Sequence, residues 1–342
     1  MKNNTNNNDK SPSKVKDLFY KYSLGAKPFL KWVGGKSQLL PIFNELYPLE
    51  LKQKKIKHYY EPFVGGGAVF FDIAQNYEID SAYLYDINDE LILVYKVIQR
   101  KVEKLIEFLE RFSKQYLKLN QEKRKVYFYD LRHNFNQQRF NIDYNKFSEN
   151  WIPRAAQIIF LNKTCFNGLF RFNSKGEFNA PIGKYIRPKI LDETNLLNVS
   201  KLLEIAQIEK ADFTEVRNNI KNSSFVYFDP PYRPISKTSN FTSYSKLNFK
   251  DDEQIKLATL FNELNEMNIL QMLSNSDPTN IDPQDNFFDL IYKGYNIIRV
   301  PAKRMINSDA TKRKAINEIL ITNYDVVNYA KRNQRQYNRQ SA

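Results

Sequence analysis

Ser224-Phe225-Val226-Tyr227-Phe228-Asp229-Pro230-Pro231-Tyr232 is the stretch on which the reading of this chain turns. An apolar, β-branched and aromatic run stops at an acid, two prolines and a tyrosine, which reads as a buried strand ending in a rigid turn. Proline has no amide hydrogen with which to extend a ladder and holds its own φ. Two in succession freeze the backbone where an open α/β sheet presents ligands, at the C-terminal end of a strand. Asp229 and Tyr232 are therefore expected in a crevice. A plain strand capped by an Asp-Pro turn would use the same letters, so the chemistry has to separate the two readings. The exocyclic amine of a nucleobase is a poor nucleophile because its lone pair is delocalised into the ring. A carboxylate and a backbone carbonyl, both acceptors, can hold its two N–H groups and favour the pyramidal nitrogen of the transition state. Asp229 and the Pro230 carbonyl suit that task, and Tyr232 offers a ring on which a base could stack.

Two stretches nearer the amino terminus add to this. Glu61-Pro62-Phe63-Val64-Gly65-Gly66-Gly67 reads as the end of a strand and a glycine turn that opens a helix, where the backbone can pass close beneath a bulky ligand. As a dinucleotide fingerprint the match is poor, because Phe70 stands where the third glycine belongs. Ala82 to Asn88 reads as the next strand, with Asp86 at its tip, about 20 residues beyond the glycines, where an acid can bind ribose hydroxyls; a helix N-cap is the competing role. Lys31-Trp32-Val33-Gly34-Gly35-Lys36-Ser37 leads into a helical pattern from Gln38 to Phe43. Its Gly-Lys-Ser is not a P-loop, since Leu30 occupies the place of the first glycine. Lys36 could meet a ligand carboxylate as a point charge.

Taken in order, Trp-x-Gly-Gly-Lys, Phe-x-Gly-x-Gly and Asp-Pro-Pro-Tyr resemble the alpha group of amino-methyltransferases, and the chain from about Lys27 to Tyr324 looks like the Dam-type (D12 class) DNA N6-adenine methyltransferases. The resemblance implies a class I methyltransferase fold: a Rossmann-like, seven-stranded mixed sheet with an inserted, mainly helical target-recognition domain that contains a β-hairpin. It implies S-adenosyl-L-methionine as cofactor, held by positions matching Trp32, Lys36, Phe63, Gly65, Gly67, Asp86, Asp212, Phe213 and Asp229, with Phe213 stacking on the cofactor adenine. The catalytic positions are Asp229, Pro230, Pro231 and Tyr232. Asn-Gly-Leu-x-Arg-x-Asn followed by Gly-x-Phe-Asn-x-Pro-x-Gly-x-Tyr, from Asn167 to Tyr185, is similar to the recognition segment of relatives that read GATC. In those relatives the positions matching Lys31, Phe166, Asn167, Leu169, Arg171, Pro181 and Tyr185 contact DNA. Phe166 replaces a tyrosine and Ala180 a commoner valine. By composition alone this stretch is a basic surface hairpin turning at Ser-Lys-Gly, although Asn and Arg also suit bidentate readout of adenine and guanine.

Composition agrees with a nucleic-acid partner. The 342 residues carry a net charge of +14 and a pI near 9.4. Residues 1–26 contribute five Lys against two Asp (+3) and residues 327–342 four basic residues (+4), which leaves +7 for the body. Lys303, Arg304, Lys312 and Arg313, read as a loop before the last strand, are candidates for phosphate contacts. One cysteine, Cys165, rules out an internal disulfide framework and suits a reducing cytoplasm. With only two histidines besides, no metal is expected. No apolar run reaches membrane-spanning length, so a cytoplasmic, DNA-associated protein of a bacterial cell is expected. A monomer or weak dimer is anticipated, with room for a cognate restriction endonuclease in the same system but no stable complex with it.

The expected organisation is a disordered tail over residues 1–26, a catalytic domain over 27–89 and 191–326, a target-recognition domain over 90–190, and a basic tail over 327–342. A helix is expected from Asn88 to about Phe112, an irregular stretch over 113–150, and another helix from Trp151 to Asn162. Further strands are expected to end at Ala211-Asp212-Phe213 and to span Ile269–Ser276, Asn296–Val300 and Glu318–Thr322, with a loop at Asn240–Tyr244. The rival to an enzyme is a DNA-binding module without chemistry. It would leave the glycine turn and Asp229-Pro230-Pro231-Tyr232 without a task.

Overall fold

Short β-branched and aromatic runs gather into one sheet in the computed structural model, which describes residues 24–233, 249–303 and 315–326. The strands are β1 (His58–Glu61), β2 (Ser81–Asp86), β3 (Ala206–Lys210), β4 (Ser224–Phe228), β5 (Leu270–Ser276), β6 (Asn296–Lys303) and β7 (Ala315–Thr322). Their order is β3-β2-β1-β4-β5-β7-β6. The first five run parallel, and β7 is antiparallel to both of its neighbours. All five residues of β4 are buried, as a central strand covered on both faces requires. Tyr59, Phe225, Tyr227 and Leu320 feed one hydrophobic cluster; Tyr60, Val226, Phe228 and Ile319 feed the other. The seven-stranded mixed sheet expected from the sequence is the one found, and Lys303 closes β6 opposite Ala315 rather than lying in a loop.

Seven helices matter for the site: α1 (Leu40–Leu46), α2 (Ala68–Asn76), α3 (Asp89–Leu117), α4 (Gln121–Gln138), α5 (Trp151–Thr164), α6 (Glu193–Leu203) and α7 (Asp251–Glu266). Between β2 and β3 the chain builds α3 to α6 in succession. Asn88 caps α3 by accepting from the Leu91 amide (3.2 Å), and Asp89 and Glu90 in the first turn complement the helix dipole. The apolar stripe Leu91, Val94, Ile98, Val102, Leu105, Leu109 is buried along its length, and the backbone breaks from helical geometry at Lys101 (φ −146°, ψ 41°).

The stretch 113–150 is irregular only in its last part: α3 continues to Leu117 and α4 runs to Gln138, and a short turn and loop then lead to α5. Only Phe128, Leu131 and Phe135 of α4 are buried, so most of its surface is polar and its apolar period is too sparse to read. Asn120 supplies the cap, accepting from the Lys123 amide at 3.0 Å. This unit is tied down by Arg154 of α5, which is buried. Its guanidinium pairs with both carboxylate oxygens of Glu90 on α3, donates to the Phe135 carbonyl of α4 and lies over the Phe135 ring, while Tyr144 Oη donates to Glu90 at 2.7 Å. Removing one partner of such a buried pair costs about 3–5 kcal/mol.

Beyond α5 the chain forms a short hairpin. Phe172 bridges Phe178, Asn173 N donates to Glu177 O (2.9 Å), and Gly176 takes φ 73° in the turn at Ser174-Lys175-Gly176. Glycine suits that turn because the left-handed region carries no Cβ penalty there.

Candidate active site

The C-terminal ends of four adjacent parallel strands hold most of the polar residues singled out in the sequence. In spatial order these are Asp212 just beyond β3, Asp86 at the end of β2, Gly65–Gly67 after β1 and Asp229 after β4. Parallel pairing of His58–Tyr60 with Ser224–Val226 fixes the register and sets the glycine turn beside the Asp229 turn. Open α/β sheets present ligands at this edge.

The glycine turn is built around close approach. Gly65 and Gly67 have φ of 46° and 69°, and a Cβ at Gly65 would stand 2.6 Å from Trp32 Nε1. Trp32 lies over Gly65 and Gly66, and its ring is 5.7 Å from that of Phe170 at the base of the hairpin. Asp86 is partly buried and accepts from Gly65 N (3.2 Å) and Asn88 N (2.9 Å). Burial pushes its carboxyl up to about 6, although those amides pull the other way. Phe63 stacks on Phe213 at 5.4 Å, both rings meet Phe249, and Phe213 is buried. Asp212 accepts from Thr214 N (3.1 Å) and Thr214 Oγ1 (2.7 Å), so it also caps the turn that seats Phe213.

Lys36, read from the sequence as a point charge for a ligand carboxylate, is paired here with groups of the protein itself. It is 3% exposed, and its ammonium donates to Gly34 O (2.9 Å), Asp229 Oδ1 (2.7 Å) and Tyr232 Oη (2.8 Å). Burial alone would lower its pKa, but the charges of Asp229, Tyr232 and Glu318 outweigh burial and hold it above the ordinary lysine range. Burial pushes the Asp229 carboxyl up, with Lys36 offsetting part of that. Ser274 Oγ of β5 also donates to Asp229 Oδ1 (3.1 Å) and is paired with Tyr227 Oη at 2.7 Å. Among the described residues, both side-chain donors to Asp229 fall on Oδ1, which leaves Oδ2 for another partner. Gln254 of α7 secures the second proline by donating to the Pro231 carbonyl (3.1 Å). The segment Trp32–Lys36 thus spans the edge, its tryptophan on the glycine turn and its lysine on the acid.

Glu318 and Ser274 were not among the residues read from the sequence. Because β7 runs against the rest of the sheet, its N-terminal half reaches the C-terminal edge, and Glu318 pairs with Ser276 there. Its carboxylate is 3.9 Å from Lys36 Nζ. The available signal was one acid inside the apolar run Ala-Ile-Asn-Glu-Ile-Leu-Ile-Thr.

The residues carried over as DNA contacts form a second, more open patch. Phe166 N donates to Pro181 O (2.8 Å) and Cys165 bridges Ile182, so 165–168 and 181–183 run side by side. Asn162, fully buried, accepts from Lys31 N (2.8 Å) and donates to the carbonyls of Lys31 (2.9 Å) and Gly168 (3.0 Å). Lys31 Nζ reaches Tyr185 Oη (3.0 Å) and lies 4.1 Å from the Tyr185 ring centroid. Phe166, Asn167 and Pro181 are exposed, Leu169 is half-buried, and Arg171 Nε donates to Asn179 Oδ1 (2.8 Å). Arg304, Lys312 and Arg313 lie outside the described residues, as does the loop expected at Asn240–Tyr244; the backbone alone of Lys303 is described. Among the described residues, no group of three or more His, Cys, Asp or Glu is placed to hold a metal ion, and no helix is long and apolar enough to cross a membrane.

A mixed seven-stranded sheet with one reversed strand and a polar cluster at the parallel strand ends is an α/β fold consistent with class I methyltransferases. Residues 32–306 match the model of the D12 class N6 adenine-specific DNA methyltransferase family. The type II methyltransferase M.MjaIII of Methanocaldococcus jannaschii is 51% identical over 299 residues, covering 87% of this chain and 99% of that protein. The type II methyltransferase M1.LlaDCHI of Lactococcus lactis subsp. cremoris is 37% identical over 310 residues, covering 90% and 99%. The DNA adenine methylase of Escherichia coli K12 is 30% identical over 294 residues, covering 86% and 94%. The chain belongs to the D12 class of N6 adenine-specific DNA methyltransferases and is an adenine DNA methyltransferase.

Proposed function

We propose that the protein transfers a methyl group from S-adenosyl-L-methionine to N6 of an adenine turned out of duplex DNA, within the sequence GATC. The observation that carries this reading is an Asp229 oxygen with no side-chain donor among the described residues, set near the Tyr232 ring and beside a glycine turn covered by Trp32. A cationic nucleoside donor fits the residues present. Gly65 and Gly66 let the Trp32 ring close onto the turn, Asp86 can accept from ribose hydroxyls, and Phe63, Phe213 and Asp212 offer an aromatic cluster with an acceptor beside it. When bound, that donor would supply a methyl group made electrophilic by a sulfonium, the carbon–sulfur bond breaking so that sulfur leaves as a neutral thioether.

The rest is done by the chain. N6 of a paired adenine cannot align with the methyl group, so the base must leave the stack. Tyr232 supports the extruded ring, while Asp229 Oδ2 and the Pro230 carbonyl accept the two N6–H groups. As the nitrogen–carbon bond forms, positive charge grows on N6, and these acceptors stabilise it more than they stabilise the planar ground state. The N6 proton is released after the nitrogen has become cationic, so no strong base is needed.

The Asn167–Tyr185 segment, with Lys31 against Tyr185, supports the GATC reading, since Asn and Arg suit bidentate contacts to purine edges. On this proposal residues 90–190 act as the recognition unit and the cytoplasm of a bacterial cell is the site of action. Two relatives carry the name type II methyltransferase, so a companion restriction endonuclease, without stable complex, belongs to the same reading. Expression in a host lacking adenine methylation, with modified bases mapped genome-wide, tests it. N6-methyladenine at GATC is expected; methylation at another core would overturn the sequence assignment, and modified cytosine would overturn the target amine.

A further inference from the structure

The polar cluster contains one carboxylate that the proposed reaction does not use. Glu318 Oε2 is buried and has no hydrogen bond of good geometry among the described residues, although the Lys36 ammonium lies 3.9 Å away and the Tyr232 hydroxyl is near enough to favour the ionised form. Buried acceptors are rarely left bare, because the lost hydration is not recovered. The three N–H groups of Lys36 are already committed to Gly34 O, Asp229 Oδ1 and Tyr232 Oη. Two carboxylates therefore share one buried cation, and only one of them is bonded to it.

Lys36 is well placed on Asp229 while the site awaits its target and badly placed during transfer. With adenine seated, N6 acquires positive charge against Asp229, and a sulfonium must be nearby. A third cation 2.7 Å from Asp229 Oδ1 would repel both. A displacement of roughly 1 Å would bring Nζ from its present separation to hydrogen-bond distance of Glu318. Like-charge repulsion falls on that move, Asp229 is released to the amine, and the bare acceptor gains its donor.

We propose that Glu318 is the second seat of Lys36: when the target adenine engages Asp229, the ammonium transfers from Asp229 to Glu318. Glu318 is thus a positioning residue that acts through Lys36 and touches no reacting atom. The step is an exchange of hydrogen bonds in which no covalent bond changes and no proton is lost from the cluster. The inference rests on the reading that Asp229 holds N6.

The decisive measurement is a crystal structure of the full chain with S-adenosylhomocysteine and a duplex carrying the sequence it methylates. Lys36 Nζ within about 3.2 Å of Glu318, with N6 on Asp229, is the expected result. N6 on Asp229 with Lys36 still bonded there and Glu318 bare would overturn the exchange but leave the reading of Asp229 intact. N6 placed elsewhere would remove that reading first. Kinetics give a second test in solution. Glu318→Gln should lower the single-turnover rate about 10- to 100-fold while DNA affinity changes less than about threefold, with Glu318→Asp recovering part of the loss. In a Lys36→Gln background the same Glu318→Gln change should have almost no further effect, as expected for residues acting as one unit. Multiplicative losses would show that Glu318 acts independently of Lys36, against the proposal.

Discussion

The strand-end cluster and the Phe166–Tyr185 patch both present polar side chains but are held in opposite ways. Asp229 is fixed by buried groups from four places in the chain: Lys36, Ser274, Tyr232 through Lys36, and the Gln254 clamp on Pro231. The patch is fixed from beneath by backbone contacts and by Asn162, while its side chains at Phe166, Asn167 and Pro181 face solvent. Two donors on Oδ1 and a clamped turn leave Asp229 little freedom, as the transition-state role proposed for it requires. Open side chains on a braced backbone can instead meet a partner whose edges vary. Mutations in the two regions should therefore separate, one set acting on turnover and the other on DNA binding.

The largest effect is expected at Asp229. Asp229→Asn keeps the shape but exchanges an ionised acceptor for an amide, so kcat should fall by about 100- to 1,000-fold, in the range seen when one transition-state hydrogen bond is removed. DNA affinity, measured by fluorescence anisotropy, should stay within about threefold. Retained turnover would remove Asp229 from the mechanism, and lost DNA binding would erase the contrast between the two regions.

Gly168→Ala probes the opposite side. Gly168 has φ 66°, and a Cβ there would lie 2.4 Å from Lys31 Cδ and 2.5 Å from Lys31 Cβ. Both the backbone and the contact resist the change, at a cost of roughly 1–3 kcal/mol in stability. Because the methyl pushes against Lys31 where it meets Tyr185, KM for DNA should rise about tenfold or more while kcat at saturating DNA changes little. A loss confined to kcat would mean that the braced loop serves the chemistry instead.

Much of the strand-end cluster could be read in the sequence, and the reason is local. Asp229-Pro230-Pro231-Tyr232 and Gly65–Gly67 each combine rigid or permissive backbone with the functional group in a few consecutive residues, so the reading needs no knowledge of distant contacts. The sheet was legible in the same way where its strands are short, mainly apolar runs, as in β4 and β7. Lys36 was assigned to the right edge, yet its bond to Asp229 depends on how its own short segment crosses that edge. Glu318 was missed because only the reversal of β7 brings it to the site. The helix Gln121–Gln138 was missed because only three of its residues are fully buried and much of its attachment is made by polar side chains such as Arg124, Arg132 and Asn136, which leave no apolar period to read.

A smaller, pH-dependent effect should appear at Asp86. Its carboxyl is raised by burial to about 6, above the ordinary value near 4. Stability linked to the protonated form is therefore fully present below about pH 4 and lost as pH rises through about 6. On the proposed reading, in which Asp86 holds the donor's ribose, donor binding runs the other way, because ribose hydroxyls would donate to the carboxylate and not to the acid. Affinity for S-adenosyl-L-methionine, measured by calorimetry, should tighten several-fold between pH 5 and 7 by about the ratio of ionised fractions. Asp86→Asn should flatten that profile; a slope surviving in the variant would assign the titration to another group.

The smallest expected change in the fold, and the sharpest test of the contrast, is Phe166→Ala. Phe166 is 47% exposed, and the backbone contact it makes, N–H to the Pro181 carbonyl, does not involve its ring. Truncation of an exposed ring that fills no cavity should move stability by no more than about 0.5 kcal/mol, visible as a nearly unchanged melting curve. A ring that inserts beside DNA bases would be worth about 1–3 kcal/mol there, so binding to specific duplex should weaken by about 5- to 150-fold. Binding to unrelated duplex, carried by phosphate contacts, should hardly change. Equal weakening on both duplexes would make Phe166 part of a general surface, and the patch would then bind DNA without reading it.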